Sequence, residues 1–473
     1  TTESVLSKMD FSTVKPLSFY DTFTRKKVPF VPLDESNIRL YVCGPTVYDY
    51  AHIGNARPVV VFDVLYRLLK HRFPRVTYVR NITDVDDKIN ERAKKSGRSI
   101  KEITEETTKT FHSDMNALGA LTPDVEPRAT EHISQMIEMI ENLMEKGNAY
   151  EKQGHVLFSV PSMPDYGQLS GRNRDEQIAG ARVDVAPYKN DPTDFILWKP
   201  SGSDAPGWHS PWGFGRPGWH IECSAMSKMY LGETFDIHAG GIDLIFPHHE
   251  NEIAQSRCAF GTCKMANLWM HNGYVTVEGE KMSKSLGNFY TVNQLLKDWP
   301  GETIRYALLS GHYRAPLNYS IKGLSDAQAA LDRLYQAIGI SEDHVHHNAL
   351  PGVSVLDALA DDLNTPLALS ELHKLAGALN KASDNEVKNK IRSELLGSAK
   401  LLGLLDEKSE DWFRRGASKS NSLTSSEIEQ LILSRNKARE IKDFKKADEI
   451  RDKLESIGVT LEDSKDGTTW KMS

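Results

Sequence analysis

A chain of 473 residues is too long for one hydrophobic core, and at roughly 100–200 residues per domain it should divide into about three. Its 39% hydrophobic and 26% charged content excludes a fibrous or wholly disordered chain, and no apolar run approaches the ~20 residues of a membrane span. The net charge of −7 offers no bulk attraction to nucleic acid, so any RNA contact must come from local basic patches. Residues 1–17 lack the basic-then-apolar order of a signal peptide, and four cysteines are too sparse for a disulfide framework; a cytoplasmic location is expected.

In chain order, Ile38–Val42 is apolar and β-favouring, and Cys43-Gly44-Pro45 stops it. A helix is predicted from near Pro58 to Leu69, because Val61, Val64, Leu65, Leu68 and Leu69 share a face. Residues 76–82 read as a second strand, and strand, helix, strand at this spacing predicts a βαβ unit with a parallel sheet. Helices follow over about 99–146. From about 151 to 218 the chain turns rich in Gly, Pro, Asp and Trp, with a short strand-like run at 195–198, and looks like an insertion. Sheet-like runs return at 235–238 and 268–277, joined by a helix over 250–258. The pattern from 324 to 405 is helical, 414–424 is a polar linker, and 425–473 combines one long helix with a strand-like tail.

Two segments suit nucleotide chemistry. His52-Ile53-Gly54-Asn55 lies just before the first helix, where free backbone N–H groups and a partial positive charge can receive phosphate. His52 and Asn55 can donate to phosphate oxygens, and Gly54 permits close approach. Taken alone the tetrapeptide could equally be a polar loop capping a helix. Far downstream, Lys281-Met282-Ser283-Lys284-Ser285 places two lysines in a short polar stretch fit to neutralise a departing pyrophosphate, or to form a solvated turn. The two elements together, in this order, resemble the paired motifs of class I aminoacyl-tRNA synthetases. The second matches residue for residue; in the first, Asn55 stands where the family has histidine.

A third group suggests a metal. Cys43 ends the first strand, at the sheet edge where open α/β folds bind ligands. Cys223 lies in Gly-Trp-His-Ile-Glu-Cys, while His248 and Glu252 are spaced to project from one helix face. Spacing alone leaves buried cysteines and a helix ion pair open as the alternative. The runs 40–49, 81–89, 218–226, 236–256 and 281–288, however, closely resemble the cysteinyl branch of the class I family, and the likeness continues into 467–470.

That resemblance implies one Zn2+ on Cys43, Cys223, His248 and Glu252, with Thr83 and Trp219 bordering the amino acid. It implies Gly240, Gly241 and Asp243 at the ribose and adenine, and His52, Asn55, Lys281 and Lys284 in the chemistry, with Gly54 beside the nucleotide. His220 and His249 are read as either screening the reacting groups or structural. Cys258 and Cys263 read as packing residues, and His344, His346 and His347 as a solvated linker. Arg435, Arg439, Lys442 and Lys446 step along one helix as a basic stripe that either contacts phosphates or forms a solvated face paired with Glu440 and Asp443, and Trp470 is either a base-stacking residue or a core anchor.

The expected fold is α/β: a Rossmann-like parallel-sheet catalytic domain over 1–320, with halves at about 20–150 and 219–280, an insertion at 151–218 and a lysine-loop and stem region at 281–320. A helical tRNA-binding domain (321–412) and a small mixed α/β anticodon-binding domain (425–473) follow. The expected activity is ligation of L-cysteine to tRNA(Cys) with ATP and Mg2+, by a monomer with no membrane partner. Three rivals are an ATP-dependent cysteine:amino-sugar ligase, which would lack the last domain; a zinc hydrolase using His248 and Glu252, which would leave the lysine loop idle; and a catalytically dead RNA-binding relative, which the intact metal and lysine sets disfavour.

Overall fold

The computed structural model describes residues 14–181, 186–282, 289–339, 349–415 and 423–472. Two compact units result, the first holding most of the chain up to Ala327 together with Gly352–Glu371 and Leu401–Leu404. At its centre lies a parallel sheet in the spatial order Ala266–Asn272, Phe235–Gly241, Ile38–Val42, Val76–Arg80. The chain leaves Ile38–Val42 to one side and later returns on its other side. A crevice therefore opens at the carboxyl ends between Ile38–Val42 and Phe235–Gly241, the point where ligands settle in such sheets. Cys43 leaves the sheet there, its N–H bonded to the Ala239 carbonyl at 3.3 Å.

The first helix, Ile53–Arg72, begins five residues before Pro58, so His-Ile-Gly-Asn forms its cap and first turn instead of a loop before it. His52 and Asn55 close a reciprocal capping box: His52 Nδ1 accepts from the Asn55 N–H at 3.2 Å, and Asn55 Oδ1 accepts from the His52 N–H at 3.1 Å. Proline favours the first helical position, yet Pro58 lies inside this helix, in its second turn. Val61, Val64, Leu65, Leu68 and Leu69 are all buried, as their spacing requires.

Arg57, on the same helix and fully buried, donates to the carbonyls of Gly273, Tyr274 and Ala315 at 2.8, 3.2 and 2.7 Å, and to that of His312 at 3.0 Å. Four carbonyl dipoles replace the water a buried guanidinium gives up. The interaction fixes the chain where Ala266–Asn272 ends and Val275–Val277 begins, which splits the single run expected over 268–277.

Between the halves of the sheet, Ala149–Lys152, His155–Phe158, Phe195–Pro200 and Gly215–Pro217 pair as a separate antiparallel sheet. Gly215–Pro217 runs directly into the helix Trp219–Leu231, so this sheet delivers Trp219 and Cys223 to the crevice.

Asp114, buried on the helix Ile100–Ala117, receives one hydrogen bond from Asn293 at 3.3 Å, and its Oδ2 has no partner. Burial pushes its carboxyl up to about 6. The folded state therefore holds this proton more tightly than the unfolded chain, whose value is about 3.9. Stability from this group is present below pH ~4, falls as pH rises through about 6 and stays lost above it. Asp114→Asn should raise stability at pH 7.5 by about 1–3 kcal/mol and have little effect at pH 4. Denaturant melts at the two pH values provide the check; equal effects at both would remove the explanation.

The second unit gathers Gln328–Pro351, Leu372–Lys400 and Leu405–Ser473. Its final portion departs from the single helix expected. Ser425–Glu440 and Phe444–Ser456 are two helices, separated where Lys442 turns through φ 60° and Asp443 caps the second. The Asp443 side chain, accepting from the Lys446 N–H at 3.2 Å, diverts the chain. Arg435, Arg439, Lys442 and Lys446 consequently do not share one helix face. Arg435 is buried and bidentate to Asp463 at 2.9 and 2.8 Å, and Arg439 meets the same carboxylate at 2.9 Å. Trp470 is a core anchor: it packs with Ile428, Ile432, Ile450, Leu454 and Val459 and donates to Glu429 at 2.8 Å. Among the described residues no helix is long and apolar enough to cross a membrane.

Candidate active site

A cleft of about 970 Å3 opens at the carboxyl edge of the parallel sheet, and its walls bring together most of the singled-out residues. Cys43, Cys223, His248, Thr83 and Trp219 line it, as do His52, Gly54, Asn55, Gly241, Asp243 and Lys281. Lys284 lies outside the described residues, as do His344, His346 and His347. Gly240 is not in the wall; a side chain there would meet Leu244 at 2.9 Å and the His249 ring at 3.2 Å. His220 and His249 are not in the wall either. His220 Nδ1 lies 2.9 Å from His248 Nδ1, behind that ring.

Cys43, Cys223, His248 and Glu252 each direct one donor atom into a space where all lie within 4.8 Å of one another. The individual separations are 3.9 Å between the two sulfurs, 3.8 Å from Cys43 Sγ to Glu252 Oε2, and 3.3 Å from His248 Nε2 to the same oxygen. A zinc tetrahedron with ordinary bond lengths has donor–donor edges of roughly 3.3–3.8 Å, so the set fits a zinc ion. Without a cation the cluster is electrostatically poor. Burial, then the neighbouring Cys223 and Glu252, pushes the Cys43 thiol well above its ordinary value, and burial raises the Glu252 carboxyl despite His238 beside it. A divalent cation reverses that logic by favouring thiolate and carboxylate.

Local structure fixes each donor. Cys223 lies early in Trp219–Leu231; His248 is the penultimate residue of the short turn Ile245–His249, which continues directly into the helix Glu250–Phe260 carrying Glu252. The Trp219 ring stacks on His248 with centroids 4.1 Å apart, so the residue expected to border the amino acid also sets the plane of that imidazole. Behind the donors, Glu252 Oε1 accepts from His238 at 3.0 Å, and His238 stacks on Trp269 at 4.5 Å. His249 Nδ1 meets His271 Nε2 at 2.8 Å, and His271 Nδ1 meets Thr22 Oγ1 at 2.7 Å. Burial, then His238, lowers His271 to about 3, which keeps it neutral.

Sequence reasoning missed His238, His271, Asn81 and Gly44. The first two are polar interruptions of buried parallel strands, a signal available in the sequence. Asn81 follows Val76–Arg80 as Cys43 follows Ile38–Val42. Its Oδ1 accepts from the Gly44 N–H at 2.9 Å and its Nδ2 donates to Thr83 Oγ1 at 3.0 Å. Gly44 has no room for a side chain, since a Cβ would sit 1.5 Å from the Asn81 carbonyl oxygen. Cys258 is half-buried against the core and Cys263 is exposed; neither joins a candidate metal cluster among the described residues.

The family described as tRNA synthetases class I (C) catalytic domain matches residues 29–329, a DALR domain matches 354–406, and a cysteinyl-tRNA ligase anticodon binding domain matches 422–470. The cysteine–tRNA ligase of Rhodospirillum rubrum is 59% identical over 455 residues, covering 96% of this chain and 99% of that one. That of Paramagnetospirillum magneticum is 60% identical over 460 residues, covering 96% and 99%. Among solved structures, Mycobacterium tuberculosis methionyl-tRNA synthetase in complex with methionyl-adenylate matches with a TM-score of 0.56. It is 14% identical over 78% of this chain and 89% of that one, a likeness of fold.

Proposed function

Since the chain belongs to the cysteine–tRNA ligase family of class I aminoacyl-tRNA synthetases, we propose that it makes cysteinyl-tRNA(Cys) through a cysteinyl-adenylate, with zinc on Cys43, Cys223, His248 and Glu252 selecting the substrate thiol. The observation that carries this reading is that the two-sulfur donor set and the His52–Asn55 helix end face one cleft. Bound there, zinc would supply a soft Lewis acid that takes cysteine as its thiolate, which serine's hydroxyl matches poorly and alanine not at all. An apolar pocket alone separates such near-isosteres only ~10–200-fold.

The chain's own residues do the rest. Trp219 and Thr83 border the amino acid, which leaves its carboxylate to attack the α-phosphorus of ATP while pyrophosphate leaves. His52 Nδ1 is occupied by the cap, so Nε2 is the nitrogen that carries its proton and donates to phosphate; Asn55 likewise retains its amide N–H groups. Gly54 belongs to the same tight turn, because a Cβ there would press 2.9 Å from the His52 ring. Lys281, with Lys284 and a solvent-held Mg2+, neutralises the departing charge. Gly241 and Asp243 receive the ribose, with Gly240 giving way to the Leu244 and His249 packing behind it. Residues 321–412 and 425–473 support tRNA and its anticodon respectively, in a cytoplasmic monomer. The match of the anticodon binding domain to 422–470 favours tRNA over an amino sugar as acceptor.

Cysteine-dependent exchange of pyrophosphate into ATP, followed by charging of tRNA(Cys), tests the scheme. Exchange without charging would transfer the assignment to the amino-sugar ligase, and hydrolysis without exchange to a zinc hydrolase. Four protein donors plus the substrate sulfur exceed a tetrahedral shell, so Glu252 should loosen when cysteine binds. Zinc absorption spectra with and without cysteine should then differ in the oxygen contribution; an unchanged first shell would remove this last point.

A further inference from the structure

Arg172 lines the cleft and takes no part in the scheme above. It comes from the inserted segment, two residues before the helix Arg174–Gly180, and is exposed. Its guanidinium carbon lies 4.7 Å from the centre of the Phe246 ring, which also lines the cleft. Gly180, at the far end of that helix, leaves the room. A Cβ there would stand 2.2 Å from an Arg172 guanidinium nitrogen and 3.0 Å from the Phe246 ring. The cation is thus confined between an aromatic ring and a bare glycine. Among the described residues Arg172 forms no ion pair, whereas Arg174, two residues on, is held by Asp191 at 2.7 Å. A guanidinium ordered without a counter-charge keeps its fork of donors available for an anion.

The helix that carries Glu252 orders this loop. Glu250 accepts from the Leu169 N–H at 3.3 Å, the Ser170 N–H at 3.0 Å and the Ser170 hydroxyl at 2.7 Å. Tyr166 donates to Asn251 at 2.5 Å, and Arg257 to Asp165 at 2.8 Å. Residues 165–170 are therefore clamped along Glu250–Phe260, which sets Arg172 at the cleft in a fixed relation to the metal donors.

Acyl transfer narrows the choice of anion. The terminal ribose of tRNA has to reach the adenylate inside this cleft, so the nucleotides before it enter with their phosphodiesters. The phosphates of ATP have donors of their own at His52, Asn55 and Lys281, on other elements. Resting on the ligase reading above, we infer that Arg172 receives a phosphodiester of the unpaired acceptor end of tRNA(Cys), with Phe246 as its aromatic support, and so fixes how far the terminal ribose enters. A guanidinium suits this place because it offers phosphate two parallel donors while its flat face stays on the ring.

Kinetics of the full-length protein test the assignment. Arg172→Ala should lower kcat/KM for tRNA(Cys) about 10–100-fold, the loss of one hydrogen bond between charged groups, and leave the KM values for ATP and cysteine in pyrophosphate exchange unchanged. The plot of log kcat/KM for tRNA against log salt should flatten by about 0.7, as for one phosphate of a single strand. Arg172→Lys should recover part of the loss, since it keeps the charge without the fork. Gly180→Ala, pressing on the guanidinium, should show part of the same loss, and the double variant Gly180→Ala/Arg172→Ala should be no worse than Arg172→Ala. A tRNA(Cys) trimmed of its unpaired acceptor nucleotides should bind the parent and Arg172→Ala alike. Unchanged charging kinetics with an unchanged salt slope overturn the inference, as does a loss that falls on ATP or cysteine, or one that persists in binding of the trimmed tRNA. A parent protein that charges no tRNA would defeat the ligase reading itself, and the inference with it.

Discussion

Cys223→Ser should lower kcat/KM for cysteine in ATP–pyrophosphate exchange by at least ~10³-fold, about 4 kcal/mol of lost transition-state stabilisation. The change is one atom, yet it replaces a soft sulfur donor by a hard hydroxyl that matches zinc poorly. Cys223 is 2% exposed and its sulfur lies 3.9 Å from that of Cys43, so the substitution removes one of the two sulfurs of the donor set. ATP binding should be preserved, because His52, Gly54 and Asn55 depend on their own capping box and not on Cys223. Activity loss with intact nucleotide binding and an unchanged melting profile therefore isolates the metal seat. A variant that exchanges pyrophosphate at the parental rate would show that a second thiolate is unnecessary and would sink the proposed thiol selection.

Much of this site was readable from the sequence because its donors sit at positions that local rules define. Cys43 terminates an apolar strand at a crevice edge, and His248 and Glu252 lie four residues apart on a continuous helical path. The parallel sheet followed from strand–helix–strand spacing, although the first helix starts at Ile53 because a histidine and an asparagine form a capping box that proline signals cannot reveal. What could not be read is where distant packing takes a residue. His238 and His271 stand out in the sequence as polar interruptions of apolar strands, but their neighbours are set by the pairing of Phe235–Gly241 with Ala266–Asn272, Trp269 opposite His238 and His271 opposite Gly240. The basic stripe failed for the same reason. Its spacing was helical, but Asp463, from a hairpin 28 residues beyond Arg435, claims two of its guanidiniums, and the Lys442 turn divides the rest. Charge periodicity along a chain cannot reveal a carboxylate arriving from another element.

Lys281→Ala should reduce the rate of adenylate formation by about 10²–10³-fold, near 3–4 kcal/mol, while leaving cysteine affinity unchanged. Lys281 extends from the short strand Glu280–Lys281, paired with Val275–Val277, into the cleft wall, and its Nζ lies 5.8 Å from the Tyr274 ring centroid. Two roles can be separated. If the ammonium serves only as a cation–π partner holding the hairpin, its loss is worth about 0.5–1 kcal/mol at an exposed site, and Tyr274→Ala should cost as much. If it neutralises the departing pyrophosphate, Lys281→Ala should fall far below Tyr274→Ala in kcat. Lys281→Arg should recover part of the rate, because the charge is kept while its planar fork replaces a compact point charge. The loss should appear in kcat and not in the KM for cysteine, since that charge develops only as the phosphoanhydride breaks. Equal effects of the alanine variants at 281 and 274 would remove Lys281 from the chemistry and return it to the structure of the hairpin.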